Sequence, residues 1–173
     1  MENYVPDIYQ KSIYTVDYSK LLSRGIKCLL FDLDNTIIPP KSLEISSKAK
    51  DLFISLKQKG FKVIIFSNSP KKRVRSLKKF LNVDGVHMAF KPFSFKFKKV
   101  INGYGFKVDE VAIIGDQLMT DILGGNKIGI TTVLINPITD DEPIFSRINR
   151  RRENRKLKKL KNKNLFYKGR FYD

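Results

Sequence analysis

Apolar residues along the chain gather into five short runs separated by more polar segments: KCLLFDLD (27–34), KVIIFSN (62–68), GVHMAF (85–90), EVAIIGD (110–116) and TTVLIN (131–136). The second, fourth and fifth are rich in Val and Ile and almost continuously apolar, the pattern of strands covered on both faces. The segments between them carry helical spacing. In SLEISSKAKDLFISLKQKG, Leu43, Ala49, Phe53 and Leu56 recur near the helical period and Gly60 supplies a stop. SPKKRVRSLKKFLN opens with the helix-starting pair Ser69-Pro70 and repeats apolar residues at Val74, Leu77 and Leu81. LMTDILGGNKIG reads as a shorter helix broken at Gly124-Gly125.

Strands alternating with helices pair in parallel through right-handed crossovers. The expected fold is therefore α/β: three layers, Rossmann-like, with a central parallel sheet of about five strands. Each interval between strands holds one helix and little else, which leaves no room for a cap domain. Residues 1–143 are expected to form one domain, with 1–26 as an N-terminal packing segment. After Pro143 the pattern stops. Residues 144–173 read as a basic helix with a sparse apolar face at Ile148, Leu157 and Leu160, followed by a frayed aromatic end.

Sheets of this class bind ligands at the carboxyl ends of their strands, and there the polar residues collect. Asp32 and Asp34 end the first run, Ser67 and Asn68 the second, and Asp116 the fourth, while Lys91 follows the third. Carboxylates this close repel one another unless a positive charge is held between them. A hard divalent cation answers that need, and Mg²⁺ takes one or two carboxylates and fills its other positions with water and substrate phosphate. Lys91 adds a second positive charge and Ser67 a hydroxyl for a phosphate oxygen. The set suits phosphoryl transfer to a carboxylate nucleophile. His87, the only histidine, lies in an apolar run and reads as packing; without a Cys/His cluster a zinc site is not expected.

Composition narrows the setting. The one cysteine, Cys28, sits in an apolar run as a buried small hydrophobe, so no internal disulfide forms and a reducing, cytoplasmic setting is expected. No segment approaches the ~18 consecutive apolar residues of a membrane span, and the acid-containing N-terminus lacks the apolar core of a signal peptide. The formal net charge is +17. From Arg147 to Asp173 there are 12 Lys or Arg against 2 Asp or Glu. That surplus favours phosphate-rich partners, either nucleic acid or an anionic membrane surface, which would place the protein peripherally at the membrane's inner face. The stretches KKRVRSLKK and KPFSFKFKK are further candidates for such contact. Phe93, Phe95 and Phe97, alternating with Lys96 and Lys98, are either a membrane-interface edge or the buried aromatics of an ordinary helix.

The motifs DLDNT (32–36), FSNS (66–69), KP (91–92) and GDQLMTD (115–121) resemble, in order, the four motifs of the haloacid dehalogenase (HAD) superfamily of phosphatases. The wider run GDQLMTDILGGNKIGITTVLINP, with NRRRE after it and PDIYQKSIYTVDYSKLLSRGIK before it, resembles the YqeG family of subclass IIIA, whose relatives include the mitochondrial phosphatidylglycerophosphatases. The resemblance implies that Asp32 attacks phosphorus and becomes an aspartyl phosphate. It implies that Asp34 protonates the leaving oxygen, then activates water, and helps hold Mg²⁺ through its carbonyl. Asp116 is then the remaining carboxylate on the metal, with Asp32. Ser67, Asn68 and Lys91 bind the transferring phosphoryl, Lys91 also screening Asp32, and Asp121 stands behind them, orienting Lys91 or a water of the metal site. Asn35 replaces a frequent glycine and tolerates the positive φ of a tight turn.

An uncapped site suits a phosphate displayed on something large. The expected function is a Mg²⁺-dependent phosphomonoesterase, with phosphatidylglycerophosphate or another lipid headgroup phosphate as the candidate substrate. Two alternatives stay open: a phosphatase of nucleic-acid ends, and a non-catalytic RNA- or ribosome-binding protein using the same fold.

Overall fold

The computed structural model describes residues 2–140 and 144–173, with side chains of the second segment from 151 onward. The domain boundary at 143 and the side chain of Ile148 lie outside the described residues. Six strands form one parallel sheet: β1 (Ile8–Gln10), β2 (Cys28–Phe31), β3 (Lys62–Phe66), β4 (Asp84–Val86), β5 (Val111–Gly115) and β6 (Thr131–Ile135), in the order β1-β6-β5-β2-β3-β4. The sixth strand is β1, inside the segment expected only to pack. Its three residues pair with β6, Ile8 opposite Val133, and are too few to show a period.

Alternation along each strand builds the layers. Leu29 and Phe31 of β2 face a core completed by α1 (Tyr18–Ser23), α2 (Ser47–Gln58) and α3 (Lys71–Leu81), through Leu21, Phe53, Leu56, Val74 and Leu77. Cys28 and Leu30 face the opposite core, filled by Phe97, Val100 and Ile101 of α4 (Ser94–Gly103). Burying each such aromatic or aliphatic side chain is worth ~1.5–3 kcal/mol. The structure is α/β, with no cap domain among the described residues.

Two helical readings and one strand reading shift. α2 starts at Ser47 because the Ser46 hydroxyl accepts from Ala49 N–H at 3.1 Å and caps it, leaving Leu43 outside the helix and exposed. Gly124-Gly125 does not break a helix but sits within α5 (Leu123–Ile128), because the helix packs too closely for side chains there. A Cβ at Gly124 would stand 2.9 Å from the Phe97 ring, and one at Gly125 would stand 2.5 Å from Thr132 Cγ2. The run GVHMAF yields only the short β4. After it Met88 and Phe90 adopt φ of 44° and 54°, turning out of the sheet while Ala89 is buried.

The C-terminal segment forms α6 (Ile144–Asn162) and then returns to the sheet edge. Leu160 and Phe166 are buried with Tyr9, Leu118 and Leu134. Tyr9 and Tyr172 exchange backbone hydrogen bonds of 2.9 Å in each direction, and the Phe166 and Phe171 rings lie 5.2 and 4.9 Å from that of Tyr9. The aromatic end is a docked strap rather than a frayed one, since it covers the outer edge of β1 and pairs its backbone groups.

Candidate active site

Register brings the acids together. Phe31 pairs with Ile114 across β2 and β5, so Asp32 and Asp116, the residues just past the two strands, emerge side by side. Asp32 N–H still donates to Ile114 C=O at 2.9 Å, which fixes the start of the loop. Asn35 then takes φ of 63° and turns the chain back, its N–H reaching Ile38 C=O at 2.8 Å. Beyond β5, Leu118–Ile122 form a single π-helical turn that carries Asp121 over the strand end. Gly115 allows this, for a Cβ there would lie 2.2 Å from Asp121 Cγ.

Lys91 joins the two acidic loops. Its Nζ donates to Asp32 Oδ1 at 2.5 Å and Asp121 Oδ1 at 2.7 Å, with all three residues buried. Asn68 clips the lysine's own backbone: Lys91 N–H donates to Asn68 Oδ1 at 2.8 Å, and Asn68 Nδ2 donates to Lys91 C=O at 3.2 Å. The Asn68 carboxamide is thus engaged in placing Lys91, whose peptide bond to Pro92 is cis. Ser67 Oγ accepts from Ser69 N–H at 3.1 Å, closing the turn after β3.

Asp34 is held by a different set of partners. Its Oδ1 accepts from Arg73 Nε at 3.0 Å and Nη2 at 2.6 Å, and its Oδ2 accepts from Ser69 Oγ. Arg73 Nη1 is itself anchored on Ser42 C=O at 2.7 Å. The carboxylates that cluster are accordingly Asp32, Asp116 and Asp121, which offer ligand atoms within 4.8 Å of one another. Asp34 keeps only its carbonyl for the metal role the sequence assigns it. Arg73 escapes sequence reasoning, where it reads as part of a basic surface patch, and Gly115 enters it only as the first residue of the GDQLMTD motif, with no role of its own. Thr36 also reaches the cluster, its Oγ1 lying 3.4 Å from Asp116 Oδ1.

The electrostatics of the cluster suit a cation. Asp32, Asp116 and Asp121 are buried and offer ligand atoms within 4.8 Å of one another, with Lys91 Nζ donating to two of them, and carboxylates gathered away from water repel one another. Burial raises the Asp32 carboxyl to about 7; Lys91 pulls it down, and Asp121 and Asp34 push it up. For Lys91 burial opposes the charge, but Asp121 and Asp32 more than restore it, and its pKa rises. The all-oxygen donor set of the three acids fits a hard divalent cation such as Mg²⁺. Among the described residues no other cluster of three or more potential metal ligands occurs, and His87 takes no part in this one.

A parallel sheet whose two central strands end in acids, with a lysine from a neighbouring loop bridged to the first of them, is the arrangement of the HAD-type phosphatases, and this chain is one of them. It belongs to the family described as mitochondrial PGP phosphatase, which it matches over residues 2–139. It is 33% identical over 160 residues to the Bacillus subtilis protein named "Probable phosphatase YqeG", covering 92% of this chain and 93% of that one. It is 28% identical over 171 residues to phosphatidylglycerophosphate phosphatase 1 of Arabidopsis thaliana, covering 93% of this chain and 49% of that one, so it spans about half of the plant protein. Among solved structures, a Porphyromonas gingivalis protein described as a HAD-like family hydrolase superposes with a TM-score of 0.55 at 16% identity, covering 73% of this chain and 98% of that one. The Bacillus subtilis protein YfnB, solved with magnesium bound, gives a TM-score of 0.55 at 16% identity over 69% of this chain and 92% of that one. No helix among the described residues is long and apolar enough to cross a membrane.

Proposed function

We propose that this protein removes a phosphomonoester from a lipid headgroup, phosphatidylglycerophosphate being the leading candidate, through an aspartyl phosphate on Asp32. The observation that carries the chemistry is the buried Asp32–Lys91–Asp121 bridge beside Asp116. It holds a nucleophilic carboxylate in place next to an anion-binding ammonium. The substrate reading is supported by the family matched, by the plant relative's name and by the uncapped site.

In the first step an Asp32 oxygen bonds to phosphorus as the ester P–O bond breaks, and Asp34 gives its proton to the departing alcohol oxygen. In the second, Asp34 takes a proton from water as that water's oxygen bonds to phosphorus. The P–O bond to Asp32 then breaks and inorganic phosphate leaves. Lys91 and Ser67 receive the phosphoryl oxygens, with Asn68 holding Lys91 in position. Arg73 orients Asp34 for both proton transfers. Asp32, Asp116 and the Asp34 carbonyl would hold Mg²⁺, with Asp121 adjoining. Its charge, when present, offsets the clustered acids and draws electron density from the phosphoryl group.

A second reading, a phosphatase of nucleic-acid ends, is favoured by one feature. α6 carries Arg151, Arg152, Arg155, Lys158 and Lys159 exposed on its surface, and a basic surface of this kind tracks a phosphate backbone. Phosphate release from phosphatidylglycerophosphate, phosphorylated RNA ends, nucleotides and sugar phosphates, each with wild type and Asp32→Asn, tests both. The lipid phosphate should be hydrolysed fastest, and Asp32→Asn should lose activity by on the order of 10⁴-fold or more. Turnover confined to RNA ends would replace the first reading with the second, and turnover of nothing would end both.

A further inference from the structure

The loop between β4 and α4 holds an apolar edge that the catalytic residues do not explain. Met88, Phe90, Phe93 and Phe95 are 47%, 45%, 64% and 53% exposed, whereas their neighbours Ala89, Lys91 and Phe97 are buried. Met88 and Phe90 reach this outward position through left-handed backbone, φ 44° and 54°, a conformation that side chains with a Cβ adopt at a cost. The same loop is bonded to the phosphate-site turn: Met88 N–H donates to Ser69 C=O at 3.0 Å and Ala89 N–H to Ser67 C=O at 2.9 Å. The exposed apolar residues therefore flank the site itself, on either side of Lys91.

Charge surrounds this edge. α3 and α4 both begin at the carboxyl end of the sheet; Lys71 and Lys72 lie exposed in the first turn of α3, and Lys98 and Lys99 lie exposed in the second turn of α4. From Leu52 to Val108 the sequence contains one acid, Asp84, which Lys62 neutralises at 2.5 Å. Four exposed apolar side chains, with exposed lysines on the two helices that begin at the same end of the sheet, match the boundary between acyl chains and anionic headgroups. A single-stranded nucleic acid would instead use separated aromatic platforms, one per base. Here the Phe90 and Phe95 rings lean on each other, 5.9 Å between centroids, and form one apolar knob.

We propose that Met88, Phe90, Phe93 and Phe95 insert into the interface of an anionic bilayer and so seat the mouth of the site on a phosphate borne by a headgroup. The proposal rests on the lipid reading of the substrate. The two are separable, because docking is measured without turnover.

The chain contains no tryptophan, so Phe93→Trp introduces a single reporter at the edge. Phe80→Trp serves as control: that residue is also exposed, but lies at the far end of α3, away from the site. With phosphatidylglycerol–phosphatidylcholine vesicles the emission of Phe93→Trp should shift to the blue and be quenched by brominated acyl chains. Pure phosphatidylcholine should have a weaker effect, and Phe80→Trp should not respond. The double variant Phe93→Ser/Phe95→Ser should lose about tenfold or more in affinity for the anionic vesicles. Its hydrolysis of soluble p-nitrophenyl phosphate should be unchanged, which also reports that it folds. An unshifted Phe93→Trp spectrum with vesicles overturns the proposal. So does a double variant that keeps vesicle affinity, or one that loses affinity for a single-stranded RNA instead. Docking without phosphatidylglycerophosphate hydrolysis would overturn the substrate reading and leave the docking edge standing.

Discussion

Strands β2 and β5 run side by side in the same direction, and charged residues meet at both of their ends. At the amino ends Lys27 and Glu110 pair at 2.6 Å, opposite in sign, with Lys27 60% exposed. At the carboxyl ends Asp32 and Asp116 meet with like sign and are buried, joined by Asp121 and held by one lysine. The exposed pair is complete as it stands and contributes little either way. The buried cluster sets carboxylates against one another, an arrangement that a bound cation would relieve. The backbone ladder does not distinguish the two ends; side-chain chemistry does. Local rules of charge pairing are obeyed where the sheet needs only to be stable and broken where it has a ligand to bind.

The carboxyl end should be the more sensitive to small changes, and Gly115→Ala is the sharpest of these. The added methyl would lie 2.4 Å from Asp121 Oδ2, so Asp121 must move and release Lys91. Misplacing such a group by about 1 Å costs on the order of 10²-fold in rate, and the overpacking itself costs ~1–3 kcal/mol of stability. The kcat on p-nitrophenyl phosphate should fall by about that factor. A kcat within about twofold of wild type would show that the Asp121–Lys91 bridge tolerates displacement.

Arg73→Ala comes next. It removes both hydrogen bonds to Asp34 Oδ1 and leaves that carboxylate to the Ser69 hydroxyl. A positioning role predicts a fall of about 10- to 100-fold in kcat with KM little changed. Arg73→Lys should recover only part of it, because one ammonium cannot reproduce the guanidinium fork. A variant that raises KM at constant kcat would instead make Arg73 a substrate-binding group.

The two ends also differ in how much of them can be read along the chain. Asp32, Ser67, Lys91 and Asp116 each stand just past an apolar run, a local pattern that the strand period makes visible, and parallel topology then brings strand ends together. Arg73 offers no such signal: it reaches Asp34 across 39 positions of sequence, and only the packing of α3 on the sheet tells it from the basic residues around it. The purpose of Gly115 is set by a side chain six residues on and by a π-turn that no propensity describes. The edge strand β1 and the C-terminal strap are obscure for another reason. Each is too short or too polar to show a period, and Tyr9 and Tyr172 acquire meaning only by pairing with each other.

The smallest effect separates the two ends by the sign of a slope. In metal-free protein, burial lifts the Asp32 carboxyl from 3.8 to about 7. A carboxyl raised on folding is tolerated while protonated and costs stability as pH rises through its folded value. The unfolding free energy should thus decline between about pH 4 and pH 7, by at most about 1.4 kcal/mol per pH unit. Lys91, raised rather than lowered, stays charged throughout that window and adds no slope. At the amino ends the sign reverses. The Lys107 N–H and the Lys27 ammonium hold Glu110 below its usual range, so its contribution grows as pH rises through the carboxylate region and is lost in acid. Urea unfolding in chelator across this range should show a decline in wild type that Mg²⁺ or Asp32→Asn flattens. Lys27→Ala should leave the decline in place and, by removing the small opposing rise, make it slightly steeper. A metal-free wild type with no decline, unaltered by Asp32→Asn, would mean that Lys91 alone satisfies the acids and that the carboxyl ends are as self-sufficient as the amino ends.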